Sequence, residues 1–336
     1  MVGLGLTACI RPCLAQQVVE RYENVEGFLR IGPESERRIP MTERGYSLLL
    51  PDGAPATVAG VAVFIDPRRF QASPLQLEPG SFDSEALGRN LAVLHITTGD
   101  PLDFLFEEIE VEELADRIGA VLADVGLQGA PVFLAGLSLG GTRALRLAAY
   151  LSASRDTRPF RLAAVAVVDA PLDMARLWET EQRAAKLEFH PAAADEGRWV
   201  TYLLETHLGG APEHAAARYA EFSPFSHSAP DGGNAAHLRD LPIRAYHEPD
   251  VDWWIENRRK SYYDMNSIDL AALINQLRVL GNDSAQLVSS HARRAGYAEG
   301  ASPHTWSIVD NGELVEWLLS HASGAGPPEM QSLPSR

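Results

Sequence analysis

Residues 131–141 read PVFLAGLSLGG, in which a continuous apolar run leads into the pentapeptide GLSLG (136–140). The run has the length and composition of a strand buried on both faces of a parallel sheet. After Ser138, apolar residues recur at helical spacing, so the pentapeptide lies in a turn between a strand and a helix. Small residues must flank the serine there, because the two backbones crowd each other. The stretch predicts a serine held at the end of a strand, beside a helix N-terminus.

Six further apolar segments have the character of buried strands, at 45–50, 60–65, 91–96, 162–168, 242–247 and 285–290. Helical patterns fall between several of them, as at Val111, Leu114 and Ile118. This alternation predicts an α/β fold with a doubly wound, mostly parallel sheet. The segment between Val168 and Pro242 is too long for a simple crossover and contains amphipathic pieces, so we expect a helical cap at about 172–235.

The strand, G-x-S-x-G turn and helix together resemble the nucleophile elbow of the α/β-hydrolase fold, as found in bacterial esterase-like and lipase-like serine hydrolases. The resemblance covers roughly residues 45–321. It implies that the cap is inserted after the sixth strand and that Ser138 is a nucleophile. It also implies that an acid and then a histidine follow Ser138 along the chain.

The resemblance places the catalytic base in a loop between the last strand and the final helix. His304 lies there, in SPHTWSIVD (302–310), ahead of a helix that Asp310 and Glu313 are spaced to cap. We therefore expect His304 to take the proton of Ser138.

Two aspartates are candidates for the acid after the predicted strand 242–247, in HEPDVDWWIENRR. Asp250 comes directly after Pro249, where the strand must stop, and is the expected acid. Asp252 precedes a helical pattern that it could cap, so it is the fallback. Asp169 and Asp173, after the preceding strand, remain alternatives, since some family members use that position.

The oxyanion formed during acyl transfer needs two donors. The amide of Leu139, next to the serine, is the expected first donor. Many family members have His-Gly after the strand that corresponds to 60–65, whereas this chain has DPRRF (66–70). Pro67 has no amide proton, so the backbone amide of Arg68 or Arg69 is the expected second donor, with Arg68 taken first.

Composition narrows the set of partners. The formal net charge is -16 and the pI is near 5.0, which disfavours nucleic acid and anionic membranes. No apolar run is long enough to span a membrane. The two cysteines, Cys9 and Cys13, cannot build a disulfide framework or a Cys-based metal site in the body of the protein. The expected partner is a small acyl substrate, with no metal and no cofactor, and the oligomeric state stays open.

The first 20 residues are rich in apolar and small side chains and predict an export segment. LTAC (6–9) resembles a lipobox, which would make Cys9 a lipid-bearing residue and the protein periplasmic, secreted or lipid-anchored. Without such a signal it would be cytoplasmic. The hydrolase domain is predicted at 21–321, and residues 322–336 read as a flexible tail.

These observations predict a serine hydrolase that acts through an acyl-enzyme, with a carboxylic ester as the expected substrate. Two alternatives stay open: hydrolysis of a peptide or another amide by the same residues, and a binding module on the same fold without catalysis.

Overall fold

The predicted apolar segments form the core of one eight-stranded sheet. A computed structural model describes residues 17–53, 55–66, 77–154, 159–290 and 302–323. Within these residues the strands are β1 (Gln17–Asn24), β2 (Phe28–Arg30), β3 (Arg38–Pro40), β4 (Glu43–Leu50), β5 (Gly60–Ile65), β6 (Leu91–Thr97), β7 (Pro131–Leu137), β8 (Arg161–Val168), β9 (Ile243–His247) and β10 (Gln286–Ser289). Strands β2 and β3 form a separate small hairpin.

The large sheet has the strand order β1-β4-β6-β5-β7-β8-β9-β10. The pairs from β6 through β10 are parallel, while β1 pairs antiparallel with β4 and β4 with β6. The predicted mostly parallel, doubly wound sheet is therefore confirmed. Strand β1 has no counterpart in the sequence prediction, because it lies at the edge of the sheet and none of its residues is fully buried.

Some predictions fall on parts of the chain that are not described. Strand β1 begins at Gln17, inside the stretch 1–20 that is predicted to direct export. Residues 1–16, including Cys9, lie outside the described residues, as do Arg68 and residues 324–336 of the predicted tail. Among the described helices, none combines the length and apolarity that a membrane crossing requires.

Helices cover both faces of the sheet. In the described residues they are α1 (Phe82–Gly88), α2 (Glu108–Asp124), α3 (Leu139–Ala153), α4 (Met174–Leu187), α5 (Pro191–Leu208), α6 (Pro212–Phe222), α7 (Val251–Arg258), α8 (Ser267–Val279) and α9 (Asn311–Ser320). Apolar side chains of α2, α3 and α8 pack on one face, and those of α1 and α9 pack on the other. The inner strands of the sheet, β4 to β9, are buried on both faces, which explains their continuous apolar runs.

The cap consists of α4, α5 and α6, inserted after β8, the sixth strand of the large sheet in chain order. Local signals set the ends of these helices. Asp173 caps α4 by accepting from the amides of Ala175 and Arg176. Pro191 starts α5, and Gly209, at φ 88°, ends it. The cap has its own apolar cluster, which includes Met174, Trp178, Leu204 and Tyr219.

A buried carboxylate ties the cap to the sheet domain. Asp269 on α8 is 0% exposed and lies 2.6 Å from Nε of Arg176 on α4. It also accepts from the backbone amides of Leu172 and Asp173 and lies 3.1 Å from Nε2 of His227. Burial by itself raises the pKa of Asp269, but the hydrogen bonds from His227 and Arg176 outweigh it and hold the pKa below its usual value. The base of α4 is therefore fixed.

Candidate active site

Ser138 lies in a strained turn between β7 and α3. Its backbone has φ 55° and ψ -130°, a region that non-glycine residues rarely adopt. Its amide donates to the carbonyl of Val168 at 2.9 Å, which pins the turn to the neighbouring strand. A Cβ at Gly136 would lie 2.3 Å from the carbonyl carbon of Gly140, so no other residue fits there. The turn lifts the Ser138 side chain above the carboxyl edge of the sheet.

The first turn of α3 opens directly beside the serine. The carbonyl of Ser138 accepts from the amides of Gly141 and Thr142, at 2.9 and 3.2 Å. Leu139 is the first helical residue, and its amide is one of those for which a helix offers no carbonyl partner. The helix N-terminus also carries partial positive charge. This geometry suits a negatively charged oxygen next to Ser138.

His304 and Asp169 form the carboxylate–imidazole pair at this edge. Nδ1 of His304 lies 2.6 Å from Oδ2 of Asp169, and the two side chains are 31% and 8% exposed. Burial lowers the pKa of His304, but the hydrogen bond that His304 donates to Asp169 and the negative charges of Asp169 and Glu196 outweigh it. The pKa of His304 is therefore raised above its usual value. Such a contact fixes the imidazole ring and stabilises its protonated form.

Asp169 owes its position to the end of β8. Its backbone has φ 41°, its amide donates to the carbonyl of Tyr246 at 2.9 Å, and its carbonyl accepts from Nδ2 of Asn266 at 2.9 Å. In the sheet register Leu137 pairs with Val168, so Ser138 and Asp169 follow a matched pair on neighbouring strands. The serine and the carboxylate therefore leave the sheet side by side.

The structure places Asp169, rather than the expected Asp250, against Nδ1 of His304. The carboxylate of Asp250 accepts from the amide of Trp253 at 3.0 Å and caps α7. The fallback, Asp252, lies exposed in the first turn of that helix. Asp250, and not Asp252, is therefore the N-cap residue of α7. The carboxylate against Nδ1 of His304 belongs to a third residue. Asp169, an alternative at the sequence level, takes that place.

Asp173, the other alternative, has a structural role. Its Oδ1 caps α4, and its Oδ2 accepts from the amide of His227 at 2.8 Å. The sequence offered one signal in favour of Asp169: it directly follows an apolar run that, like the run before Ser138, is continuous and buried.

The serine and the histidine keep their reactive atoms available. Among the hydrogen bonds of the described residues, none uses Oγ of Ser138 or Nε2 of His304. Catalytic hydrogen bonds are often long in a protein without substrate and tighten when substrate binds. The described residues contain no group of three or more His, Cys, Asp or Glu side chains placed to hold a metal ion.

The architecture resembles that of several solved hydrolases. Acylaminoacyl peptidase from Pyrococcus horikoshii matches 93% of the chain with a TM-score of 0.55 at 11% identity. A fungal esterase structure from Rhizomucor miehei matches 92% with a TM-score of 0.52 at 12% identity. S-formylglutathione hydrolase from Agrobacterium tumefaciens matches 91% with a TM-score of 0.51 at 10% identity. Together with the strand order and the serine turn, these matches decide the architecture.

The chain has the α/β-hydrolase fold.

These likenesses concern the α/β-hydrolase fold alone, because the identities are low. The chain spans 43% of the length of the acylaminoacyl peptidase, 85% of the esterase and 95% of the S-formylglutathione hydrolase. No family model matches the sequence, and no curated protein matches it. Within the α/β-hydrolase fold, activity has to be argued from the side chains at the carboxyl edge of the sheet.

Proposed function

We propose that this chain is a serine hydrolase that cleaves carboxylic esters through an acyl-enzyme on Ser138. The proposal is supported by a strained serine at the end of β7, next to the end of β8, where the buried carboxylate of Asp169 lies 2.6 Å from Nδ1 of His304. A serine hydroxyl is a weak nucleophile until a base removes its proton, and an imidazole oriented by a carboxylate is suited to that role.

In the proposed reaction, Oγ of Ser138 forms a bond to the ester carbonyl carbon while Nε2 of His304 takes the hydroxyl proton. The tetrahedral intermediate collapses as the bond to the alcohol oxygen breaks, and His304 gives its proton to that oxygen. Water then attacks the acyl-enzyme, again losing a proton to His304, and Ser138 recovers it when the acid leaves. Asp169 stays ionised and holds the imidazole through Nδ1.

The amide of Leu139 is the proposed first donor to the oxyanion, supported by its position at the start of α3. The second donor is proposed to come from the segment after β5, where Arg68 lies. An ester is the proposed bond because its carbonyl carbon is more electrophilic than that of an amide, in which resonance with nitrogen stabilises the carbonyl group. The structural neighbours include both esterases and peptidases, so an amide is the competing substrate.

Intact mass after treatment with a fluorophosphonate tests the proposal. We expect one adduct on the wild type and none on Ser138→Ala. Ser307→Ala is the matched control, since Ser307 is an exposed serine three residues from His304 and should leave the adduct unchanged. An adduct on Ser138→Ala, or no adduct on a folded wild type, would refute the proposal and favour a binding module.

A reactive serine then allows the bond to be identified. We expect p-nitrophenyl esters of short acids to be hydrolysed with a higher kcat/KM than the matching p-nitroanilides. The reverse ranking would identify an amide hydrolase instead.

A further inference from the structure

Arg143 on α3 is a charged side chain that the sheet domain buries almost completely. The residue lies five positions after Ser138 and is 1% exposed. It shares a helix face with Leu139, one turn earlier. Because side chains on a helix lean toward its N-terminus, the guanidinium of Arg143 extends toward the serine turn.

The guanidinium of Arg143 binds two backbone carbonyls at the carboxyl edge of the sheet. Its Nη1 donates to the carbonyl of Ile65, the last residue of β5, at 3.3 Å. Its Nε donates to the carbonyl of Asp103, in the loop that follows β6. Strands β5 and β6 are neighbours in the sheet. Arg143 therefore ties the ends of two neighbouring strands to the helix that begins at the serine turn.

The end of β5 also touches that helix directly. Strand β5 pairs with β7, with Phe64 level with Ala135. A Cβ on Gly140 would lie 3.4 Å from the carbonyl oxygen of Ile65. The carbonyl that accepts from Arg143 thus lies against the first turn of α3, and β5 leaves the sheet beside the serine turn.

Packing alone does not explain an arginine at this position. Its Nη2 atom is buried and has no hydrogen-bond partner among the described residues. Burial lowers the pKa of this side chain, against the charges of Asp103, Asp66 and Asp100. Unused donors on a buried cation cost free energy, and an apolar side chain of similar volume avoids that cost. An apolar side chain does not supply the two hydrogen bonds that hold the strand ends.

The segment after β5 is where the second oxyanion donor is proposed to lie. The amide of Asp66 is already used, since it donates to the carbonyl of Ile96 at 2.9 Å. Pro67 has no amide proton. Arg68, the proposed donor, follows Ile65 by three residues. The carbonyl of Ile65 is therefore an anchor close to that donor along the chain.

We propose that Arg143 is a positioning residue for the oxyanion site, because it holds the end of β5 against the helix that carries the nucleophile. The inference rests on the proposed function, in which the segment after β5 supplies the second donor. Arg143 contacts neither the substrate nor the reacting atoms. It acts by fixing the distance between the donor on that segment and the oxygen that becomes charged on the acyl carbon.

This role predicts a loss in kcat and not in KM. A displaced donor stabilises the charged transition state less, whereas the uncharged carbonyl of the bound ester loses little. Removal of one oxyanion donor lowers kcat by about 10²- to 10³-fold. Displacement keeps part of the interaction, so we expect Arg143→Met to lower kcat by about 10- to 10²-fold, with KM within about threefold of the wild type.

The test measures kcat and KM for p-nitrophenyl butyrate, with kcat expressed per serine counted from the endpoint of fluorophosphonate labelling. Inhibition by benzyl trifluoromethyl ketone reports the oxyanion site itself, because its adduct with a serine carries an oxyanion. We expect its Ki to rise in proportion to the fall in kcat/KM. The acidic limb of the pH profile should stay in place, since the contact between His304 and Asp169 is untouched.

Arg146→Met is the matched control. Arg146 lies one turn further along α3 and donates to the carbonyl of Leu105, at 3.1 and 2.7 Å, and to that of Phe222. Neither carbonyl belongs to β5. Its loss should lower the melting temperature and leave kcat per labelled serine within about twofold of the wild type. An equal fall in kcat in Arg146→Met and Arg143→Met would refute the inference, because general loosening of α3 would then explain both.

Arg143→Lys provides a second variant if Arg143→Met does not fold. Lysine keeps the charge but lacks the fork that reaches two carbonyls at once. We expect its kcat to lie between those of the wild type and Arg143→Met, at least about fivefold below the wild type. A kcat per labelled serine within threefold of the wild type in the Arg143 variants that fold would overturn the inference.

Failure of the proposed function gives a different result. In that case the wild type forms no fluorophosphonate adduct and hydrolyses no ester, and the role of Arg143 falls with it. A wild type that forms the adduct, together with Arg143 variants that keep their kcat, overturns the role of Arg143 alone.

Discussion

Asp169→Asn is the substitution that tests the site most directly, because it removes the charge of the carboxylate while keeping its shape. It weakens the hydrogen bond of 2.6 Å that Nδ1 of His304 donates to the Asp169 side chain, which is 8% exposed. In serine proteases the equivalent change lowers kcat about 10⁴-fold. That factor corresponds to about 5.5 kcal/mol of transition-state stabilisation. His304 is more exposed than Asp169, so water can replace part of the interaction, and we expect a decrease of about 10²- to 10⁴-fold.

The variant should fold, because the backbone of Asp169 is held independently of its side chain. The amide donates to Tyr246 and the carbonyl accepts from Asn266. Asparagine also tolerates the positive φ of 41° at this position. Circular dichroism should therefore show an unchanged spectrum and a melting temperature within a few degrees of the wild type.

The pH profile separates removal of the carboxylate charge from general damage. Activity requires neutral His304, so kcat/KM rises as the pH passes through the pKa of His304. That pKa is raised in the wild type, partly by Asp169. In Asp169→Asn the acidic limb should move to lower pH while the plateau falls. The assay is kcat/KM for a p-nitrophenyl ester between pH 5 and 9.

Asp250→Asn is the matched comparison. The carboxylate of Asp250 caps α7 through the amide of Trp253, and asparagine caps helices about as well as aspartate. We expect less than a twofold change in kcat/KM. A decrease of under tenfold in Asp169→Asn, or a larger decrease in Asp250→Asn, would refute the assignment of the acid.

Two further predictions concern the cap. Gly197→Ala should destabilise the protein by about 1–3 kcal/mol, because the new Cβ would lie 2.2 Å from the Glu181 carbonyl oxygen. Gly88→Ala is the control: nothing lies within 4 Å of its new Cβ, so it should be neutral or stabilise the protein by up to about 1 kcal/mol. Urea unfolding measures both free energies. Asp269 raises the pKa of His227, so this pair stabilises the fold below about pH 6.5 and the contribution is lost as the pH rises through the raised value. His227→Gln should therefore weaken the fall in unfolding free energy between pH 6 and 9, and an unchanged slope would contradict this account.

Helix α8 and strand β1 show where the sequence patterns were weak. Helix α8 packs between the sheet and the base of α4, so it is apolar around much of its circumference. Residues 267–279 therefore show little difference in hydrophobicity between one helix face and the other. Strand β1 lies at the sheet edge next to β4 and has no fully buried residue. Both depend on neighbours that are distant in the sequence.

The parallel core and the serine turn follow from the sequence without further information. Strands β5, β6 and β7 lie within a residue or two of their predicted bounds, because full burial on both faces requires continuous apolar runs. The turn at Ser138 is equally local, since Gly136 faces the backbone of Gly140, only four residues away.

The choice of the carboxylate that meets His304 depends on the tertiary structure. Asp169 and Asp250 both follow a strand that ends at the same edge of the sheet, so the pattern does not separate them. Their surroundings do: Asp250 is used by the helix that it precedes, whereas Asp169 is turned toward a loop 135 residues further along the chain. The buried ion pair between Glu181 and Lys260 was likewise beyond the sequence pattern, because the two residues are 79 positions apart in the chain. Contacts between residues so far apart in the sequence depend on the order of the strands and the packing of the helices. A local pattern of residue spacing does not predict either.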